Sequence, residues 1–215
     1  MLAVASAAWV WRAMPDGVRP PALSRAAWSQ VLRSPALMLC VAVTVLYAGS
    51  QFVLFSYFAP YFRSRLGLPA SSLGLLFMAF GAFGLAGNLL MARWIDRHGA
   101  DRAVLVALAC MALSLAAWPL GTTFWTAVLV CIPWGLGCFS SNSAQQARLV
   151  GLAPGLAAGS IALNTSAMYA GQAIGAAGGG WLIAGPGYDV LHWVGLAGML
   201  LAMGVSVAAG RAAPR

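Results

Sequence analysis

Residues 34–62 read SPALMLCVAVTVLYAGSQFVLFSYFAPYF, and this run decides the fold. It places 29 residues without a charge between Arg33 and Arg63. A helix needs about 20 mostly apolar residues to cross the hydrocarbon core of a bilayer. Working outward, 27 uncharged residues lie between Arg65 and Arg93, 45 between Arg102 and Arg148, 40 between Arg148 and Asp189, and 21 between Asp189 and Arg211. Pro119-Leu120-Gly121-Thr122-Thr123 divides the longest run with a turn, and a Gly/Pro loop at 151–155 opens the next. The spacing predicts six spanning helices near 36–61, 70–92, 103–119, 123–147, 157–183 and 189–209. No alternating pattern of about ten residues marks a barrel strand. Helices satisfy their own backbone groups inside lipid, so the chain reads as an all-α membrane protein surrounded by the lipid bilayer.

Composition excludes other classes. Of the 215 residues, 61% are hydrophobic and 7% charged, against roughly 25% charged in soluble domains. There is no Lys and no Glu; twelve Arg and four Asp give a net charge of +8. The Arg residues sit between apolar runs rather than in a patch, so nucleic acid is not an expected partner. Without Lys there is no P-loop lysine or Schiff base, and without Glu no HExxH zinc site. Cys40, Cys110, Cys131 and Cys138 lie in apolar runs without metal-type spacing and read as small hydrophobes. His98 and His192 fall near helix ends and read as solvated or interfacial. No metal, no cofactor and no enzymatic chemistry are expected.

With six spans both termini lie on one side. Ten Arg fall on that side, and only Arg63 and Arg65 on the other. The positive-inside rule therefore makes the termini cytoplasmic. Residues 1–11, MLAVASAAWVW, are apolar but too short to span; no basic residues precede them as in a signal peptide. They read as the tail of an earlier helix. A polar linker over 12–34 follows, with Pro15, Pro20 and Pro21; Arg25, Ser29 and Arg33 recur every four residues, as in a short helix on a membrane surface.

Polar side chains in a span need partners or a wet cavity. At about 100° per residue, Tyr47 and Gln51 share a face of the first helix. Trp134, Cys138, Ser141 and Gln145 share one on the fourth, with Asn142 beside it, and Asn164, Thr165, Tyr169 and Gln172 fall within an arc of the fifth. Either these amides join helices to one another, or the three faces meet at a polar cavity. Gly171, Gly175 and Gly179 read as a close-packing ridge, as do Gly81, Gly84 and Gly87. No Asp, Glu, His or Arg is placed deep in a span, so no proton-coupling site is visible.

The loop after the second helix, Ala92-Arg93-Trp94-Ile95-Asp96-Arg97-His98-Gly99-Ala100-Asp101-Arg102, resembles the loop signature of the major facilitator superfamily, Gly-x-x-x-Asp-Arg/Lys-x-Gly-Arg/Lys-Arg/Lys. Ala92 replaces its first Gly, and Ala100 and Asp101 replace its final basic pair, with Arg102 following. The runs Ser140–Gln146, Ala162–Ser166 and Tyr169–Gly175 are similar to the tenth and eleventh helices of bacterial drug:proton antiporter exporters, the arabinose-efflux-permease-like branch above all.

The resemblance covers nearly the whole chain. It implies the C-terminal half of a twelve-helix fold, built as two inverted three-helix repeats, 35–119 and 120–215, with 1–34 as helix stub and central linker. It implies efflux of a small organic solute by alternating access, with Tyr47, Gln51, Trp134, Asn142, Asn164 and Gln172 contacting the substrate near mid-bilayer. Asp96, Arg97 and Gly99 would belong to a cytoplasmic gate. On this reading the chain does not transport alone: the amide faces would meet lipid unless a complementary six-helix half, or a second copy, covered them. The alternative is a truncated or non-transporting membrane protein that assembles with or regulates another. The two readings differ in whether those faces are wet or buried against the chain's own helices.

Overall fold

The computed structural model describes residues 2–13 and 24–212. Pro15, Pro20 and Pro21 of the expected linker lie outside them. Nine α-helices are described: α1 (Leu2–Ala13), α2 (Arg25–Arg33), α3 (Pro35–Phe55), α4 (Phe58–Leu66), α5 (Ala70–His98), α6 (Ala100–Ala117), α7 (Phe124–Leu152), α8 (Ala157–Ala184) and α9 (Leu191–Ala212). The short helix read from Arg25, Ser29 and Arg33 is α2; Ser24 caps it and its Val31 is buried.

The first expected span is two helices. The backbone breaks at Ser56-Tyr57, four residues before Pro60, because the proline ring has no N–H for the Ser56 carbonyl and crowds it. Gly67 then ends α4 in the left-handed conformation at φ 62°, and Gly99 turns α5 directly into α6 at φ 84° and ψ 158°, a region open essentially to glycine alone.

Five segments are long and apolar enough to cross a membrane: Pro35–Leu66, Ala70–His98, Ala100–Leu120, Phe124–Leu152 and Tyr188–Ala212. The sixth expected span exists as the 28-residue helix α8, but it does not reach that apolarity. Its glycines, Asn164 and Gln172 dilute the aliphatic content, so length alone and not lipophilicity marks it as a crossing helix. The chain is an integral membrane protein of helical type.

The packing interleaves the two three-helix groups. Helix α3 lies against α8 and α9, and α7 lies against α5 and α6. Each group thus gives its first helix to the other, the arrangement an inverted repeat produces. Lipid tails are as apolar as the side chains, so close backbone approach rather than water exclusion holds such helices together. A Cβ on Gly171 would come within 2.5 Å of the Val45 carbonyl oxygen, and Gly175 and Gly179 are seated as tightly on Gly49 and Val53 of α3. The ridge expected on α8 is therefore a packing ridge. On α5, Gly84 and Gly87 meet Phe139 and Leu136 of α7. Gly81, expected to join them, does not: nothing lies within 4 Å of its missing Cβ, because it falls on the open side of the contact.

One helix carries an internal proline. Pro133 in α7 opens the ladder there, and Ser114 of α6 enters the gap. Its hydroxyl donates to the Val130 carbonyl at 2.5 Å and accepts from the Trp134 N–H at 2.8 Å. Those two groups are a natural i, i+4 pair of α7, so a side chain from α6 splices the backbone of its neighbour.

Candidate functional site

Where α3, α7 and α8 meet, their polar side chains form one seam. Toward the end of the bundle that carries the 93–102 loop, Gln145 Nε2 donates to the Cys40 carbonyl at 2.5 Å and to Thr44 Oγ1 at 3.3 Å. Thr44 Oγ1 donates to Asn164 Oδ1 at 2.6 Å, and Asn164 Nδ2 donates to Asn142 Oδ1 at 3.4 Å. Nearer the far end, Gln51 Oε1 accepts from Trp134 Nε1 at 3.3 Å and from Cys138 Sγ at 3.2 Å. Tyr47 lies in the same seam, and its buried hydroxyl has no hydrogen-bond partner among the described residues.

The seam corrects one expectation. Gln51 and Asn164 do not present their amides on an open face: they are 4% and 0% exposed, and each bonds within the chain's own helices. An amide between two polar helices gains more from a neighbour's hydroxyl or indole than from facing lipid. Asn164 is thus bonded at both its oxygen and its nitrogen, and Gln51 at its oxygen, without a second body. Tyr47 and Trp134 are buried as well, while Asn142 and Gln172 are half-buried. So the structure brings Tyr47, Gln51, Trp134, Asn142 and Asn164 together around the α3–α7 crossing, with Asn142 at its edge; Gln172 of α8 bonds to none of them.

Sequence reading missed an open polar spot beside the seam. Asn88 of α5 accepts a hydrogen bond from Ser143 of α7 at 2.8 Å. With Gly81, Leu85 and Phe139 it lines a cavity of about 220 Å³. Ser143 adjoins Asn142 in the chain. The signal was present, since Asn88 is an amide inside an apolar run, but no neighbouring polar residue on α5 drew attention to its face.

At the far end the seam closes on aromatic rings. Phe58 packs its ring 5.3–5.4 Å from those of Phe55, Phe62, Trp118 and Trp134. Arg65 of α4 pairs with Asp189, just before α9, across this end. His192, read as solvated or interfacial, is instead buried, with neither ring nitrogen hydrogen-bonded. The first turn of α9 tucks it beneath the 118–122 turn, beside Tyr61.

At the opposite end, Asp96 and Arg97 are exposed and lie in no ion pair among the described residues, and Gly99 forms the α5–α6 turn. Arg148 departs from expectation. Its place at the end of an uncharged run marked it as a loop residue; it lies within α7 and is 3% exposed. Its guanidinium pairs with Asp101 of α6 at 2.5 Å and donates to the Ser206 hydroxyl and carbonyl of α9, both at 3.0 Å. The helix continues to Leu152 because this pairing lets the charge be buried.

A bundle of membrane-crossing helices with exchanged first helices, joined at a polar seam, defines a polytopic helical membrane protein. The sequence matches the family described as Major Facilitator Superfamily, over residues 1–162 and 73–214. The chain belongs to that superfamily. It is 31% identical to the inner membrane transport protein YdhP of Escherichia coli over 86% of this chain and 48% of that protein. It is 24% identical to the uncharacterized MFS-type transporter YbcL of Bacillus subtilis, over 76% of this chain and 42% of the relative. The transcription regulatory protein OpdE of Pseudomonas aeruginosa is 26% identical over 98% of this chain and 53% of its own length. The chain spans about half the length of the curated relatives it matches. Family membership points to membrane transport and away from enzymatic chemistry.

Proposed function

We propose that the chain works as the C-terminal half of a secondary transporter that exports a small organic solute across the bacterial inner membrane by alternating access. The observation that carries this is α8. It crosses the bundle at lower apolarity than the other spans, and it exposes Ser166 and Tyr169 away from α3. Ala162, Ala170 and Ala173 lie beside them on that face, small residues that let an opposing helix approach closely. We place substrate contact at the edge of the seam, on Asn142 and Gln172 with Asn88, Phe139 and Ser143; Tyr47, Gln51, Trp134 and Asn164 stand directly behind and set its shape.

A cysteine introduced at 142 or 172, in a variant whose four native cysteines are serine, should react with a membrane-impermeant maleimide in open membrane fragments when a six-helix partner is co-expressed. Ethidium efflux should fall after the reaction. Cysteines at both positions that stay unreactive would sink the path.

The partner is a complementary six-helix half or, as the second choice, another copy of this chain, because alternating access needs two bodies rocking about the site. The Arg asymmetry supports a cytoplasmic location for both termini and the 93–102 loop. In sealed cells a cysteine at 64 should label from outside and one at 98 should not; the reverse pattern overturns the orientation.

Asp96, Arg97 and Gly99 form the gate. An unpaired carboxylate at the α5 terminus can accept from backbone N–H groups at a helix start on the facing half, worth about 0.3–1 kcal/mol when exposed. Asp96→Asn should slow efflux several-fold at unchanged expression. Unaltered efflux and unaltered loop accessibility would remove Asp96 from the gate. The name of the Pseudomonas relative supports a second reading, a membrane protein with a regulatory role; such a chain would show no flux with any partner.

A further inference from the structure

Helices α5 and α6 both pack on α7 and touch each other little, which leaves a groove between them on the outside of the bundle. It holds about 150 Å³, is walled by Leu90, Trp94, Val106 and Cys110, and is floored by Gly87 and Leu136. Gly87 keeps the floor low because its missing Cβ would strike the Leu136 backbone. The walls continue toward the 93–102 loop in helical register. Gly87, Leu90, Trp94 and Arg97 stand at i, i+3, i+7 and i+10 on α5; Cys110, Val106 and Arg102 stand four apart on α6. An apolar slot thus runs up to two arginines, both exposed and in no ion pair among the described residues. Trp94, the residue suited to a membrane–water interface, lies where slot and charge meet, its indole stacked on His98 with ring centroids 4.3 Å apart.

We propose that this groove is a binding site for one anionic phospholipid, with an acyl chain in the slot and the phosphate on Arg97 and Arg102. Charge complementarity selects this occupant. A zwitterionic lipid offers the same chain but carries a positive group beside its phosphate, and a protein helix would not fit so narrow a slot. Guanidinium pairs with phosphate through several N–H donors in a fixed fork. The groove lies on the outside of the bundle and shares Arg97 with the gate proposed above, but lipid retention reads it without any transport.

The test uses the full chain in mild detergent, with bound lipid counted by native mass spectrometry and thermal midpoints measured alongside. Phosphatidylglycerol should be retained where phosphatidylcholine is stripped, and should raise the midpoint more. Arg97→Gln with Arg102→Gln should weaken phosphatidylglycerol about thirtyfold, the effect of two arginines near a charged lipid surface. Arg33→Gln, on α2 away from the groove, should leave retention unchanged. Val106→Phe, which fills the slot, should lower retention of both lipids; the exposed arginine variants decide the matter if it does not fold. Equal retention of the two lipids, or full retention by the double arginine variant, would overturn the site. Displacement by inorganic phosphate would show an anion site without a lipid slot and would overturn it too.

Discussion

Gly175→Leu should remove nearly all folded protein from the membrane, and Gly175→Ala should already lower its thermal stability. A Cβ at 175 would lie 2.9 Å from the carbonyl carbon and 3.0 Å from the Cα of Gly49, with the carbonyl oxygen closer still. These are backbone atoms, which cannot turn aside as a side chain does. Overpacking a well-fitted contact costs typically 1–3 kcal/mol even where side chains adjust. Here α8 would have to lift from α3, opening the Gly171 and Gly179 contacts on either side and the bond from the Tyr57 hydroxyl to the Ala176 carbonyl. Gly178→Ala serves as the control. Nothing lies within 4 Å of its missing Cβ, and alanine is the better helix former by about 1 kcal/mol. Size-exclusion profiles of detergent extracts and melting of the purified protein check the pair. A Gly175→Leu protein that elutes and melts as wild type would refute the account of α3–α8 packing.

The second large effect is an asymmetry within one ion pair. Asp101→Asn should destabilise more than Arg148→Met. Arg148 is 3% exposed and Asp101 61%, so the two are not equivalent when left alone. Without the negative charge, a guanidinium stays buried among α6, α7 and α9 with only neutral acceptors, the Ser206 oxygens and an amide oxygen at 101. Breaking a buried pair in this way costs about 3–5 kcal/mol, with Ser206 holding the loss toward the lower figure. Without the arginine, Asp101 turns to water and retains its place in the first turn of α6, where a carboxylate is favourable. That change should cost roughly 1 kcal/mol. The double variant should be more stable than Asp101→Asn alone. Melting of the three proteins beside wild type gives the order, and an Arg148→Met protein less stable than Asp101→Asn would reverse the argument.

The apolar spans were legible along the chain because lipid leaves the backbone few choices and charges mark where it meets water, but the break at Ser56-Tyr57 within the first was not. The same logic misplaced Arg148. A charge at the end of an apolar run looks like a boundary until its partners are known, and Asp101 and Ser206 come from helices 47 and 58 residues away in the chain. Helical rotation correctly grouped Tyr47 with Gln51, and Trp134 with Cys138. It gave no means of telling whether those faces looked at each other or outward. Gln51 meets Trp134 across 83 residues and Thr44 meets Asn164 across 120. Pairing at such separations is set by how three helices cross, which periodicity within one helix does not contain. Gly81 and Gly84 differ for the same reason. Both read as small residues on one helix, and only the position of Phe139 separates them.

The hydroxyl of Ser114 acts as a bearing in the middle of α7. A kink left to itself would fix one angle, since each change would stretch an unshared carbonyl away from its N–H. A hydroxyl turning on a single bond would follow both groups if that angle varied, keeping Val130 and Trp134 engaged. The bridging hydroxyl belongs to α6, so any such swing of α7 would be mounted on α6. Trp134 sits at that hydroxyl and touches Gln51 through its indole N–H, so a swing of α7 would be felt first at α3.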